Sequence, residues 1–232
     1  MRFDSAYRVI VATAMALAAP QPAVAQVAPT SAERAAYSGV FAAAARGDVA
    51  EVERLVGAGE RIDARDGHGR TPLHVATFLR RRDAMRALVR AGADPNGLDR
   101  DRYDIVTIAA VADDVATLAT ALDIGCSAAN VTSPYDGTAL IAAAHLGHDE
   151  VVRMLIRAGA PLDHVNNLGW TAVIESIVLG DGGARHQATL RALVDAGANV
   201  NIADRSGSTP LALARSRGYR AMVEMLTKAG AR

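Results

Sequence analysis

Between Asp149 and Gly159 the chain reads DEVVRMLIRAG. Val151, Val152, Leu155 and Ile156 fall on one face of a helix, and Asp149, Glu150, Arg153 and Arg157 fall on the other. Gly159 ends the run with a residue that tolerates a left-handed backbone. A shorter apolar helix precedes it, separated by the turn glycine Gly147. Further upstream, Thr71 suits a helix cap and Pro72 the first helical position, where no amide donor is needed. Leu73 and Ala76 then open another short inner helix. The pattern predicts pairs of short helices, inner then outer, joined by extended loops such as Ala160-Pro161-Leu162-Asp163. No pair this short buries its apolar face alone, so neighbouring pairs must complete the core.

The pairs recur at a fixed period. RALVRAGADPN at 86–96 and RALVDAGANVN at 191–201 agree at eight of eleven positions. The closing glycine stands at 59, 92, 125, 159, 197 and 230, with steps of 33, 33, 34, 38 and 33. The capping position stands at Ser38, Thr71, Asp104, Thr138, Thr171 and Thr209, with steps of 33, 33, 34, 33 and 38. The long step falls in different intervals for the two markers, so five extra residues lie between Thr171 and Gly197. They are expected in Gly180–Gln187, GDGGARHQ, as a loop between helices projecting away from the inter-repeat loops, because three glycines disfavour a helix there.

A period near 33 with Thr71-Pro72-Leu73-His74-Val75-Ala76 resembles the ankyrin repeat. Asp136-Gly137-Thr138-Ala139-Leu140, Leu146-Gly147-His148 and Ala196-Gly197-Ala198-Asn199-Val200-Asn201 repeat the resemblance, which runs from Tyr37 to Arg232. It implies an all-α solenoid of about six helix-turn-helix units with inter-repeat β-turn loops, at about 37–66, 67–99, 100–133, 134–167, 168–204 and 205–232. The third unit departs from the pattern, with Asp104 as cap and Asp113-Asp114 at its turn. Residues 26–36 read as a linker with a disordered lead over Gln26–Pro29, although Thr30 and Glu33 have capping-box spacing and an early helix start is consistent with them. Arg215, Arg217 and Arg220 suit a solvated end cap.

Half the residues are hydrophobic but only 4% are aromatic, which favours helices over strands. Basic and acidic residues balance at 25 each, a poor basis for sequence-independent nucleic-acid binding. The first 25 residues stand apart: Arg2 and Arg8, an apolar run Val9–Ala19, then Ala23-Val24-Ala25 before Gln26. This reads as a cleaved secretory signal, and the apolar run spans only about half a bilayer, too short for a stable anchor. Cleavage would leave 23 basic and 24 acidic residues. The expected location is the periplasm of a Gram-negative bacterium, or outside the cell. Cys126 is the only cysteine, so no internal disulfide forms. It aligns with Ala93, Ala160, Ala198 and Ala231, a column that calls for a small, packed side chain.

Candidate chemistry is sparse. The resemblance gives His74 a structural role between neighbouring loops. His145 and His148 have spacing for a shared metal, but no third ligand is evident and no metal site is assigned. His68, His164 and His186 are expected in solvent. No phosphate loop or nucleophile–base pair is present, so neither catalysis nor a cofactor is expected. Arg80-Arg81-Arg82 reads either as a solvated turn or as a contact for an acidic partner.

The resemblance implies a protein partner held by loop tips and inner helices, on the concave surface that such stacks present. Register places Arg70, Tyr103 and Trp170 just before the capping position and Tyr135 in the fourth loop. Phe78, Leu79, His145, Leu146, Val178 and Leu179 stand at inner-helix ends. These ten are the candidate contact residues, although Trp170 is equally consistent with packing on the neighbouring loop. The expected function is that of an exported, monomeric, non-catalytic scaffold. An accessory role, protecting or inhibiting an exported enzyme, is the alternative. A hydrolase or metalloenzyme is the distant third.

Overall fold

The computed structural model describes residues 26–232, so the expected export signal lies outside the described residues. Thirteen helices are present among them. Helix α1 spans Ser31–Ala36. Six inner–outer pairs follow. They are α2 Gly39–Arg46 with α3 Val49–Gly57, then α4 Pro72–Phe78 with α5 Arg82–Arg90. Next come α6 Ile105–Val111 with α7 Val115–Asp123, and α8 Ala139–Leu146 with α9 Asp149–Arg157. The last two are α10 Ala172–Val178 with α11 Ala184–Asp195, and α12 Pro210–Ser216 with α13 Arg220–Lys228. Inner helices stack on inner and outer on outer, so the core is a continuous seam along the stack.

The marker residues act as their chemistry requires. The side chains of Thr71, Asp104, Thr138, Thr171 and Thr209 each accept a backbone N–H three residues on. Ser38 makes no such bond; the Glu60 carboxylate accepts from Val40 N at 3.0 Å instead. Small residues, Ala43, Ala44, Ala76, Ala109, Ala143, Ala144 and Ala214, are buried in the inner layer and let those helices approach closely. The outer layer buries Leu55, Leu88, Ala121, Leu155, Leu193 and Leu226, one register position throughout. Between inner and outer helices Gly47, Gly147 and Gly218 are left-handed, and Arg80 (φ 57°) and Asp113 (φ 52°) adopt the same turn without glycine. That conformation costs a side-chain-bearing residue about 1 kcal/mol.

The inter-repeat loops are β-turns with one embellishment. Where the third unit meets the fourth, Val131 and Thr132 (β1) pair antiparallel with Thr138 and Gly137 (β2). Loop tips lie side by side through Arg100 N→His68 O, Ser133 N→Arg102 O and Asn167 N→Tyr135 O, at 2.9–3.0 Å.

Two expectations are corrected. The linker is folded: Thr30 and Glu33 form a true capping box, and α1 is a separate helix rather than an early start of α2. Its lead, expected to be disordered, is ordered against the stack, with Pro29 buried and Val27 O accepting from Arg70. The insertion is half helix. Only 180–183 form a turn; Ala184–Gln187 add a first turn to α11, twelve residues long against nine in the other outer helices. The glycines end at Gly183, which caps in an extended conformation, and helix-forming residues follow. The turn lies at the expected end of the unit, away from the inter-repeat loops, but packs against its neighbours there. His186 bonds Asp181 and His145 O, and the Tyr219 hydroxyl donates to Gly180 O.

Candidate partner-binding surface

The loop of the fifth unit shows how sequence places side chains here. Asn166 Oδ1 accepts from Leu168 N (3.0 Å) and Trp170 N (2.9 Å), closing a tight turn that carries both side chains. Asp66, Asp99 and Asp204 close the equivalent turns of other units. Asparagine adds a donor that aspartate lacks: Asn166 Nδ2 reaches Glu175 Oε1 on α10 at 3.0 Å. Across the interface to α8, His145 Nδ1 stands 3.7 Å from Glu175 Oε2. Loop tip, α8 and α10 thus converge on one spot.

The exposed apolar side chains belong to the same part of the chain. Leu146, Leu179, Leu168, Val131 and Val165 are 39%, 40%, 42%, 40% and 45% exposed, and among the described residues only Val27 joins them as a large exposed hydrophobic. All five lie in or beside the fourth and fifth units. Of the expected contact residues, Leu146 and Leu179 are exposed, and Phe78, Leu79, Tyr135, His145, Trp170 and Val178 are half-buried.

Arg70 and Tyr103 are corrections. Arg70 is fully buried: Nε meets Asp66 Oδ2 at 2.7 Å, and Nη2 meets Glu33 Oε1 at 2.6 Å. Nη1 donates to Val27 O at 2.8 Å. It fastens the N-terminal segment and presents nothing to a partner. The Glu33 carboxyl is drawn down to about 2, first by the Thr30 backbone N–H, then by its hydroxyl and by Arg70. Tyr103 is 7% exposed, and its carbonyl meets His74 Nε2 at 3.1 Å.

The histidines are mostly structural. His74 is buried; Nδ1 lies 2.8 Å from Thr71 Oγ1, so it joins its own cap to the next loop, the role the resemblance implied. Burial holds its pKa below the usual histidine value. His148 Nδ1 meets Ala110 O at 2.9 Å, which ties the turn of the fourth unit to the inner helix of the third. His186 and His164, expected in solvent, are bonded to His145 O and Asp136 O. Among the described residues no three His, Cys, Asp or Glu side chains are grouped to hold a metal ion. Cys126 is buried, donates to Pro95 O, and burial pushes its thiol up to about 12, so little thiolate exists near neutrality. Of the arginine run, Arg80 pairs with Asp114 at 3.0 Å and Arg81 Nε donates to Ala45 O, so two of the three guanidinium groups serve the stack itself.

Leu168, Val131, Val165 and Glu175 escaped the sequence reading. For Leu168 a signal existed, since it holds the position in its loop that Tyr135 holds one unit earlier. Glu175 was legible as the one acid in the register column Ala42, Val75, Ile108, Ala142, Glu175, Leu213.

The family description "Ankyrin repeats (3 copies)" matches residues 24–99 and 106–204. The putative ankyrin repeat protein YahD of Escherichia coli (strain K12) is 32% identical over 194 residues, covering 82% of this chain and 94% of that protein. Human B-cell lymphoma 3 protein is 31% identical over 200 residues, and the match covers 82% of this chain and 42% of that protein. The crystal structure of an ankyrin repeat domain from Acinetobacter baumannii AYE is 42% identical, with a TM-score of 0.76 over 83% of this chain and 98% of that one.

Proposed function

The chain belongs to the ankyrin-repeat family, whose members mediate protein–protein interactions, and from that premise we infer that it is a non-catalytic scaffold whose binding surface is centred on the fourth and fifth units. One observation carries the location: the exposed large apolar side chains cluster between Val131 and Leu179 and are missing from the first two and last repeats. Exposed apolar side chains concentrated on a few units point to an interaction site there, and aromatic residues are favoured as anchors. Trp170 and Tyr135, half-buried on neighbouring loop tips, supply the aromatic component.

Trp170→Ala tests the reading. Loss of a true anchor costs about 2 kcal/mol or more of binding, roughly thirtyfold in affinity. The melting temperature should move little, because a half-exposed ring leaves no sealed cavity. A protein captured from periplasmic extract by the parent chain should be lost with this variant and with Leu146→Asp. Retention of binding in both moves the surface elsewhere, and a large drop in melting temperature makes Trp170 inter-repeat packing.

Export belongs to the same proposal. The support is the basic start, the short apolar run and Ala23-Val24-Ala25. N-terminal sequencing of secreted or periplasmic protein should begin at Gln26; an intact Met1 refutes cleavage.

A further inference from the structure

Glu175 has no counterpart in the stack. Its register position is Ala42, Val75, Ile108, Ala142 and Leu213 in the other units, and burial alone is served by those residues. The residue is 4% exposed. Asn166 fixes Oε1, but Oε2 is buried with no hydrogen-bond partner. Its nearest ionisable neighbour, His145 Nδ1 at 3.7 Å, is too far for a hydrogen bond. Burial, then His186 and His148, hold the His145 pKa below its usual value, so the ring supplies little positive charge. Three helices, α8, α11 and α12, pack against α10. Among the described residues, no arginine or lysine on them comes within ion-pair distance of Glu175, and His145 is the only partner that does. Leu146 follows His145 at the end of α8, and Val178 and Leu179 come one helical turn after Glu175 at the end of α10; Leu146 and Leu179 are exposed and Val178 is half-buried.

A carboxylate held by one oxygen and lacking a donor on the other, with an exposed leucine one helical turn along its own helix and another next to its histidine neighbour, complements a side chain with an apolar stem and a cationic head. We propose that the fourth and fifth units take a partner-protein segment presenting a lysine or arginine between aliphatic residues. The stem lies across Leu146 and Leu179. His145, itself partly exposed at its helix end, turns aside, and the cation donates to Glu175 Oε2. Opposite charge is favoured over a neutral donor because a desolvated carboxylate gains most from a charge-assisted bond. The inference rests on the binding reading above and specifies the partner chemistry within it.

The probe is a displayed library of random twelve-residue peptides, selected at pH 7.5 on the whole chain and counter-screened on Glu175→Gln. Selected peptides should share a lysine or arginine flanked by aliphatic residues. They should bind Glu175→Gln at least tenfold more weakly. Replacing the peptide cation with norleucine should weaken binding to the parent chain by a similar factor and leave binding to the variant nearly unchanged. Glu175→Leu, which installs the residue of the sixth unit, provides a second variant, and melting curves establish that both fold. Peptides that bind the parent chain, lose affinity with Trp170→Ala, carry no common cation and ignore Glu175→Gln overturn this inference and leave the binding surface standing. A library yielding no peptide above background overturns both.

Discussion

Arg70→Met is expected to lower stability by about 3 kcal/mol, the lower end of what breaking a buried ion pair costs. The lower end applies because Glu33 is partly solvated while Asp66 is nearly buried, at 29% and 10% side-chain exposure. The guanidinium has donors on Asp66, Glu33, Val27 O and the Tyr37 hydroxyl, and methionine fills the volume while removing every one. Asp66 would keep the Tyr37 hydroxyl at 2.8 Å but lose its counter-charge. Urea unfolding reads the loss. Limited proteolysis should localise it, with cleavage in 26–36 accelerated before any cut in the repeats. An unchanged unfolding curve would mean the network contributes nothing net. The network also sets an acid limit. Burial opposes ionisation of Asp66, but Tyr37 and Arg70 hold its pKa below the usual value, so this stability is present above the unfolded pKa and is lost as pH falls through the folded one.

Glu175 works in the opposite direction. Burial raises its carboxyl from 4.5 to about 7, against a smaller lowering effect from Asn166. The folded state therefore holds this proton more tightly than the unfolded state. Its contribution is intact below about pH 4.5 and is lost as pH rises through 7. A shift of this size corresponds to about 3 kcal/mol. The stability difference between the parent chain and Glu175→Gln should accordingly change by about that amount between pH 4.5 and 8, with the variant gaining on the alkaline side. Glutamine keeps the oxygen that Asn166 binds and places a neutral amide toward His145. A difference that stays flat across this range would show that water or a shifted side chain already solvates Oε2.

These two residues also mark where the sequence was legible. Caps, closing glycines and the alternation of inner and outer helices could be read because each follows from a residue's own backbone preference, repeated six times. The fate of Arg70 and Tyr103 could not be. They share a register position with Trp170, yet one is sealed by α1, which lies outside the repeat, and the hairpin joining the third and fourth units lies beside the other. Register says which way a side chain points and not what else arrives there. The insertion was placed correctly between Thr171 and Gly197, but its form depended on His186 and Arg185 finding partners on earlier units, His145 and Asp113, to which no visible pattern ties them. Glu175 needed the columns to be read downward, across units, as well as along the chain.

The extra helical turn of α11 has a mechanical consequence. Arg185 reaches Asp113, 72 residues earlier, at 2.7 Å, and so joins the fifth unit to the third, passing over the fourth. In a stack where each unit touches only its neighbours, cooperativity decays unit by unit and the ends fray independently. A clasp that skips a unit lengthens that range, even if an exposed pair adds only about 0.5 kcal/mol by itself. His186, packed on Gly147 and bonded to His145 O, reinforces it from the same turn. The third to fifth units should then open as one block in amide hydrogen exchange, while the polar sixth unit exchanges ahead of them. The block contains the apolar band, so a partner meets a platform whose ordering entropy was spent during folding.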